Sequence, residues 1–243
     1  MECGSAILHL WPDARKAGRP GLHPATQADR TCGVTPTGTF TFRGPAGDVE
    51  AIYREGQVDS PRVAVVCHPH PQHGGTMHNK VVYRAAKAFE SAGYPVLRFN
   101  YRGVGGSEGL FDEGLGEADD VKAAINWLAT ERPGVDIVLC GFSFGAVVGL
   151  RTGAGDNRVT HLVALGTPTD SFPFHALADV SKPKLFIQGD NDEVGAVDIL
   201  RTQLHSVAQP WELVVVEGAD HFFTGRLDQL QEALASHPIL ATS

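Results

Sequence analysis

Cysteine is scarce in this 243-residue sequence, and the four cysteines form no C-x-x-C pair. Cys67 and Cys140 each close a short apolar run, where a free thiol commonly serves as a small buried apolar group. This pattern predicts a reduced, cytoplasmic protein rather than one held together by disulfides. A bridge between Cys3 and Cys32 is the alternative.

Long apolar runs and basic blocks are also missing. The longest core-like runs, residues 63–67 and 135–140, end within six residues, whereas about 18 apolar residues are needed to cross a bilayer. Lys and Arg number 20 against 28 Asp and Glu, a formal net charge of −8 with neutral His. This balance argues against nucleic acid or a membrane as a partner. The amino terminus, acidic at position 2 and without a small-residue cleavage pattern, does not resemble a secretory signal.

The composition that remains is that of a globular protein with one large domain. Apolar residues make up 42% and charged residues 20%, with 28 Gly and 15 Pro. Residues 1–35 are interrupted by proline and glycine without a sustained period, which predicts a poorly ordered or loosely docked extension. We therefore assign the folded domain to residues 36–243. The oligomeric state stays open.

Apolar periodicity after residue 38 predicts an α/β fold. Segments 38–43 and 49–54 alternate apolar and polar residues, which suits an opening antiparallel pair. Continuous apolar runs, typical of strands buried on both faces, cover residues 63–67, 95–99, 135–140, 159–165, 184–188 and 213–216. Helical patterns cover residues 79–92, 116–130, 143–152, 196–206 and 222–235. The order predicts a mostly parallel, doubly wound sheet with helices on both faces and ligands beyond the carboxyl ends of its strands.

The segment Gly-Phe-Ser-Phe-Gly at residues 141–145 carries the sharpest chemical signal. It follows a predicted buried strand and opens an apolar helix, so the two glycines allow a sharp turn that lifts the hydroxyl of Ser143 out at the sheet edge. A serine hydroxyl needs a base to take its proton and a carboxylate to orient that base. Asp192 and His221 each follow a later predicted strand and supply these groups in that chain order.

From about residue 38 to 237 the sequence resembles the α/β-hydrolase superfamily, in particular small bacterial hydrolases related to dienelactone hydrolases. The motifs are CHPHPQHGGTMHNKVV, RFNYRGVGGSEG, GFSFG, GDNDEV and GADHFF. The resemblance implies the order Ser143, Asp192, His221, with Asp190 as the competing acid and Asp220 as a residue that shapes its loop. Dienelactone hydrolases proper use a cysteine where this chain has Ser143, so their particular substrate is not carried over.

Two backbone amides are expected to bind the oxyanion of the reaction. The first is the N–H of Phe144, which heads the helix after the nucleophile. The second belongs to the loop after residues 63–67, where alignment of HPHP with the H-G-x-P turn of the superfamily indicates His70. Gln72 or a glycine amide is the alternative, because proline has no N–H.

Two neighbouring features invite other interpretations. Four histidines crowd into residues 68–78, but their spacing matches no strong zinc pattern, so we predict no metal and no other cofactor. The glycine-rich segment 100–107 lacks the full dinucleotide-binding spacing. We expect Arg102 in that segment to be a structural hydrogen-bonding anchor.

Only sixteen residues, 166–181, stand where many relatives insert a helical cap, so a full lid is excluded. Four phenylalanines are expected to line an apolar acyl pocket or, as the alternative, to fill the core: Phe142, Phe172, Phe174 and Phe222. The sequence therefore predicts a cofactor-independent serine hydrolase, a carboxylesterase that acts on small to medium acyl esters. The alternatives are a thioesterase, lactonase or peptidase with the same triad, or a non-catalytic ligand-binding protein of this fold.

Overall fold

The structure is a computed structural model that describes residues 38–241. The predicted extension at residues 1–35 and the alternative bridge between Cys3 and Cys32 lie outside the described residues and stay predictions. Within the described range, no helix combines the length and the apolar character that a bilayer crossing requires.

Eight strands of residues 38–241 form one sheet in the order β1-β2-β4-β3-β5-β6-β7-β8. Their bounds are β1 Gly38–Gly44, β2 Gly47–Arg54, β3 Arg62–Cys67, β4 Val96–Phe99, β5 Asp136–Phe142, β6 Val159–Leu165, β7 Lys184–Gly189 and β8 Trp211–Val216. The β1–β2 hairpin joins the sheet antiparallel to β4, and every other neighbouring pair is parallel. The predicted antiparallel opening and parallel sheet are confirmed.

In the described part of the chain, five α-helices cover the two faces of this sheet. They are α1 Lys80–Ser91, α2 Leu115–Glu131, α3 Phe144–Gly155, α4 Val197–Leu204 and α5 Leu227–Ala235. In β3, Val63 and Val65 join the core under α2, α3 and α4, while Ala64 and Val66 join the core under α1 and α5. Side chains along a strand alternate between faces, so a strand covered by helices on both sides is apolar at most of its positions.

The last helix begins later than the sequence predicts, at Leu227 instead of Phe222. The side chain of Asp220 accepts hydrogen bonds from the backbone N–H groups of Phe222 and Thr224, and Phe223 has a φ of 54°. These contacts form a turn that competes with a helix. The residues immediately after His221 therefore lie in a loop and not in the predicted helix.

The connection between β6 and β7 is short, as predicted. Its residues 166–181 contain a 3₁₀ turn, Phe174–Leu177, and no inserted domain. Within residues 38–241, no inserted cap covers the carboxyl ends of the parallel strands, where the loops that follow β3, β5, β7 and β8 meet.

Candidate active site

Ser143 occupies a strained turn between β5 and α3, with φ 55° and ψ −119°. Backbone segments pack closely around this turn. A Cβ atom on Gly141 would lie 2.1 Å from the carbonyl oxygen of Gly145, and one on Gly145 would lie 2.5 Å from that of His68. The two glycines are therefore required, and they hold the start of α3 against the end of β3.

The structure brings together the three side chains that the sequence predicts. Nε2 of His221 lies 2.9 Å from Oγ of Ser143, and its Nδ1 lies 3.0 Å from both carboxylate oxygens of Asp192. A neutral imidazole meets both partners when Nδ1 carries the proton and donates it to the carboxylate, so that Nε2 accepts the serine hydroxyl. Asp190, the competing acid, has an exposed side chain.

The carboxylate of Asp192 is buried and surrounded by hydrogen-bond donors. Its Oδ1 accepts the backbone N–H groups of Val194 and Gly195 at 2.8 and 2.9 Å. Its Oδ2 accepts Nε2–H of Gln188 at 2.7 Å. The sequence interpretation missed Gln188, because the residue ends a run that reads as an ordinary buried strand.

Asp220 shapes the histidine loop, as expected. Its hydrogen bonds from the N–H groups of Thr224 and Phe222 hold the turn that presents His221. The hydrogen bond from Thr224 is the main cause that lowers the pKa of the Asp220 carboxyl, so this group stays ionised.

The turn after β3 uses most of its own backbone N–H groups as hydrogen-bond donors. The N–H groups of Gln72, His73, Gly74 and Gly75 all donate within the turn, to the ring or the carbonyl of His70 or to the carbonyl of Pro71. The prolines have no N–H, which leaves the amide of His70 as the donor that the turn does not use. The N–H of Phe144, at the first position of α3, belongs to the helix end that lacks intrahelical partners.

His68 is a structural residue of the same loop. It is fully buried; its Nδ1–H donates to the carbonyl of Pro69 at 2.6 Å, and its Nε2 accepts the N–H of Tyr101 at 3.0 Å. Burial lowers the pKa of His68 to about 4, so the ring is neutral. Among residues 38–241, no group of three His, Cys, Asp or Glu side chains is placed to hold a metal ion.

Arg102 anchors the glycine-rich loop, as predicted. Its Nε and Nη2 and its backbone N–H all donate to the carboxylate of Asp120, which is fully buried in α2. The side-chain hydrogen bond to Asp120 is the main cause that raises the pKa of Arg102. The pair therefore ties the loop after β4 to α2.

The two described cysteines are unsuited to nucleophilic chemistry. Cys67 and Cys140 are both free and fully buried. Burial raises the pKa of Cys67 to about 12 and raises that of Cys140 as well. Because the thiolate is the reactive form, neither thiol is suited to act as a nucleophile.

The four predicted pocket phenylalanines divide into two groups. The ring of Phe222 is 57% exposed and its centroid lies 5.1 Å from that of His221, so it lies at the rim of the site. Phe142 is buried beneath the same histidine, with ring centroids 5.2 Å apart. Phe172 and Phe174 belong to the core, where they pack against each other and Phe174 also contacts Phe186. Core packing, the alternative interpretation, describes Phe172 and Phe174 and also Phe142, which is fully buried in the core on the other face of the sheet.

Phe111, which the sequence interpretation missed, forms a half-buried aromatic cluster with His70 and Phe144, the residue that follows Ser143. The ring of Phe111 lies 5.0 Å from that of His70 and 6.0 Å from that of Phe144. The rings of His70 and Phe144 are themselves 4.9 Å apart. Phe111 is 32 positions from Ser143 in a loop without periodicity, so nothing local in the sequence indicates this contact.

Comparison with known proteins supports the class that this fold and site define. Residues 61–171 match the family model described as serine aminopeptidase, S33. An α/β serine hydrolase homologue from Coxiella burnetii is 39% identical over 83% of this chain and 97% of its own, with a TM-score of 0.78. The α/β serine hydrolase without lid from Xanthomonas campestris is 38% identical over 83% and 94%, with a TM-score of 0.75.

A curated relative, an uncharacterised protein of Rickettsia prowazekii, is 35% identical over 83% of this chain and 89% of its own length. The chain belongs to the α/β-hydrolase superfamily. Within that superfamily it groups with the α/β serine hydrolases, which agrees with the resemblance inferred from the sequence motifs.

Proposed function

We propose that this protein is a carboxylesterase that cleaves small to medium acyl esters through an acyl-enzyme on Ser143. The observation that carries the proposal is the hydrogen-bond chain from Ser143 through His221 to Asp192, with distances of 2.9 and 3.0 Å. A hydroxyl, an imidazole and a buried carboxylate in this order form the machinery of nucleophilic acyl transfer.

Acylation begins when Nε2 of His221 takes the hydroxyl proton of Ser143 as Oγ attacks the ester carbonyl. Asp192 holds the ring with its proton on Nδ1 and stabilises the imidazolium that forms. The carbonyl oxygen becomes an oxyanion, which accepts hydrogen bonds from the N–H groups of Phe144 and His70. Donors that are fixed before the reaction stabilise the developing charge without reorganising.

The tetrahedral intermediate collapses when the imidazolium of His221 protonates the leaving alcohol. This step leaves the acyl group esterified to Oγ of Ser143 and the imidazole neutral. His221 then takes a proton from water as the water attacks the acyl carbonyl, and returns that proton to Oγ as the acid leaves. No cofactor enters either half of this cycle.

The surroundings of Ser143 support a short apolar acyl group. The half-buried rings of Phe111 and Phe144 offer apolar surface on the oxyanion side, and the exposed ring of Phe222 lies on the histidine side. The connection between β6 and β7 adds no lid over these rings. An open, shallow apolar site can cover the whole of a short acyl chain but only part of a long one. The free energy gained by burial therefore stops increasing once the chain extends beyond the site.

The test is hydrolysis of p-nitrophenyl esters from acetate to decanoate by the wild type and by Ser143→Ala. We expect turnover that is highest for acetate or butyrate and is lost in the variant. A matched control is Ser206→Ala, because Ser206 caps the end of α4 through the carbonyl of Gln203. Turnover by Ser143→Ala equal to that of the wild type refutes the proposal.

The same three side chains would also serve a thioesterase, a lactonase or a peptidase. Parallel kcat/KM values for a butyryl ester, a butyryl thioester, a butyrolactone and an aminoacyl p-nitroanilide rank these activities, and we expect the ester to rank first. A non-catalytic ligand-binding protein would leave Ser143 unlabelled by a fluorophosphonate probe. We expect labelling at Ser143.

A further inference from the structure

Gln188 is a fully buried polar residue that connects three segments of the site. It lies in β7, one residue before the strand ends. Its Oε1 accepts the N–H of Thr167 at 2.8 Å, and its Nε2 donates to Oδ2 of Asp192 and to the carbonyl of Gly195, each at 2.7 Å. The side chain therefore joins the loop after β6 to the loop that carries the acid.

The orientation of this carboxamide is determined by its two backbone partners. The N–H of Thr167 can only donate, so it requires the oxygen of Gln188. The carbonyl of Gly195 can only accept, so it requires the nitrogen. With both partners satisfied, the second N–H of the amide must point at Oδ2 of Asp192. A flipped amide would lose all three hydrogen bonds, because it would face donor with donor and acceptor with acceptor.

The carboxylate of Asp192 depends on this donor for its orientation. Oδ1 is held by the N–H groups of Val194 and Gly195, whereas Gln188 is the side chain that holds Oδ2. Both oxygens lie at 3.0 Å from Nδ1 of His221. Rotation of the carboxylate about its Cβ–Cγ bond would change both distances, and the donor on Oδ2 opposes that rotation.

We propose that Gln188 is a positioning residue that acts through Asp192 to hold the imidazole of His221 in its reactive orientation. The proposal rests on the proposed function, since it assumes that Asp192 and His221 activate Ser143. Gln188 does not touch the reacting atoms. Its amide is neutral, so it stabilises the carboxylate by hydrogen bonding without removing the negative charge that the imidazolium needs.

The first test is Gln188→Leu, which keeps the approximate volume and removes the three hydrogen bonds. We expect kcat for the preferred ester to fall about 10- to 100-fold, the value of a hydrogen bond to a charged group, with little change in KM. The matched control is Gln203→Leu, because Gln203 makes a side-chain hydrogen bond to the carbonyl of Thr169 and does not contact the triad. An unchanged kcat in Gln188→Leu overturns the proposal.

A double-mutant cycle separates positioning from simple structural support. In an Asp192→Ala background the amide has no carboxylate to orient, so Gln188→Leu should cause no further loss of kcat. If the loss in that background equals the loss in the wild type, Gln188 supports the fold and does not act through Asp192. Thermal unfolding of each variant, followed by circular dichroism, shows that folded proteins are compared.

Gln188→Glu is a second, isosteric variant. An ionised carboxylate at this position has no proton to donate to Oδ2 of Asp192 and would place a second negative charge beside it. We expect kcat of this variant at about pH 8 to fall at least as far as that of Gln188→Leu. A kcat equal to that of the wild type overturns the positioning role.

The rate of labelling of Ser143 by a fluorophosphonate makes the test independent of the ester chosen. We expect wild-type labelling at Ser143 and slower labelling of Gln188→Leu. If the wild type is labelled and Gln188→Leu reacts at the same rate, only the role of Gln188 is overturned. If the wild type is not labelled, the proposed function fails, and the role of Gln188 fails with it.

Discussion

Nδ1 of His221 lies 3.0 Å from both carboxylate oxygens of Asp192, a residue 29 positions earlier in the chain. The ring and the carboxylate both lie at the edge of the sheet where the loops after β7 and β8 meet. This contact distinguishes Asp192 from Asp190, which lies two positions away and has an exposed side chain.

Asp192→Asn should lower kcat by about 10⁴-fold, because an amide would favour the imidazole tautomer that cannot accept the serine proton. Asp190→Asn is the matched control, with the same chemical change in the same loop, and should leave kcat unchanged. Both are measured with p-nitrophenyl butyrate. Equal losses in the two variants would contradict the assignment of the acid.

His70→Pro should lower kcat by about 10²- to 10³-fold relative to His70→Ala, because it removes one oxyanion donor. The backbone of His70 has a φ of −53°, which proline adopts without strain. Both variants lose the imidazole, so their difference reports the amide alone. Steady-state kinetics on one ester suffice, and equal kcat values would place the second donor elsewhere.

Gly145→Ala should destabilise the protein and abolish labelling of Ser143, because the new methyl group would lie 2.5 Å from the carbonyl oxygen of His68. Gly149→Ala, one turn further along α3, meets only side-chain atoms of Leu139 at 3.8 Å or more. This control should raise the free energy of unfolding by about 0.5–1 kcal/mol, as expected for alanine in a helix. Urea unfolding and probe labelling measure both effects; intact labelling in Gly145→Ala would refute the close approach.

Stability should fall as the pH drops from about 6.5 toward 4, because the pKa of His68 is lowered to about 4 in the folded protein. In this window the unfolded chain takes up a proton at His68 and the folded protein does not, so acid favours unfolding. Above pH 6.5 the contribution is fully present, and its loss at pH 4 amounts to about 3 kcal/mol.

The measurement for His68 is urea unfolding across this pH range, for the wild type and for His68→Gln. Glutamine can still accept the N–H of Tyr101 but does not titrate. Carboxylates also titrate in this range, so the expected result is a smaller change in the variant than in the wild type. The same pH dependence in both proteins would show that His68 is not responsible.

Phe111→Ala should lower the ratio of kcat/KM for butyrate over acetate about tenfold, because a longer acyl chain loses apolar contact. Phe172→Leu, a change in the core, should lower the melting temperature and leave that ratio unchanged. Initial rates on the two esters provide the comparison. If only Phe172→Leu changed the ratio, Phe172 and not Phe111 would line the acyl pocket.

Local patterns in the chain predict most of this architecture. The continuous apolar runs correspond to β3 to β8, because strands covered on both faces bury mainly apolar side chains. The sequence around Ser143 also predicts the turn, because the turn requires glycine at positions 141 and 145. A Cβ atom on Gly141 or Gly145 would collide with the backbone. The helix after His221 is wrongly predicted to begin at Phe222, since the side chain of Asp220 bonds to the turn that replaces its first residues.

By itself, therefore, the sequence determines the sheet, the order of its strands along the chain and the three residues that meet at its edge. The tertiary structure alone decides that Gln188 faces Asp192, that Phe111 lies beside Phe144, and that Phe172 and Phe174 fill the core. Burial and turn geometry leave periodic or local traces in the chain. A hydrogen bond or a ring contact between residues of different segments leaves no such pattern, because it depends on how the fold positions the two residues.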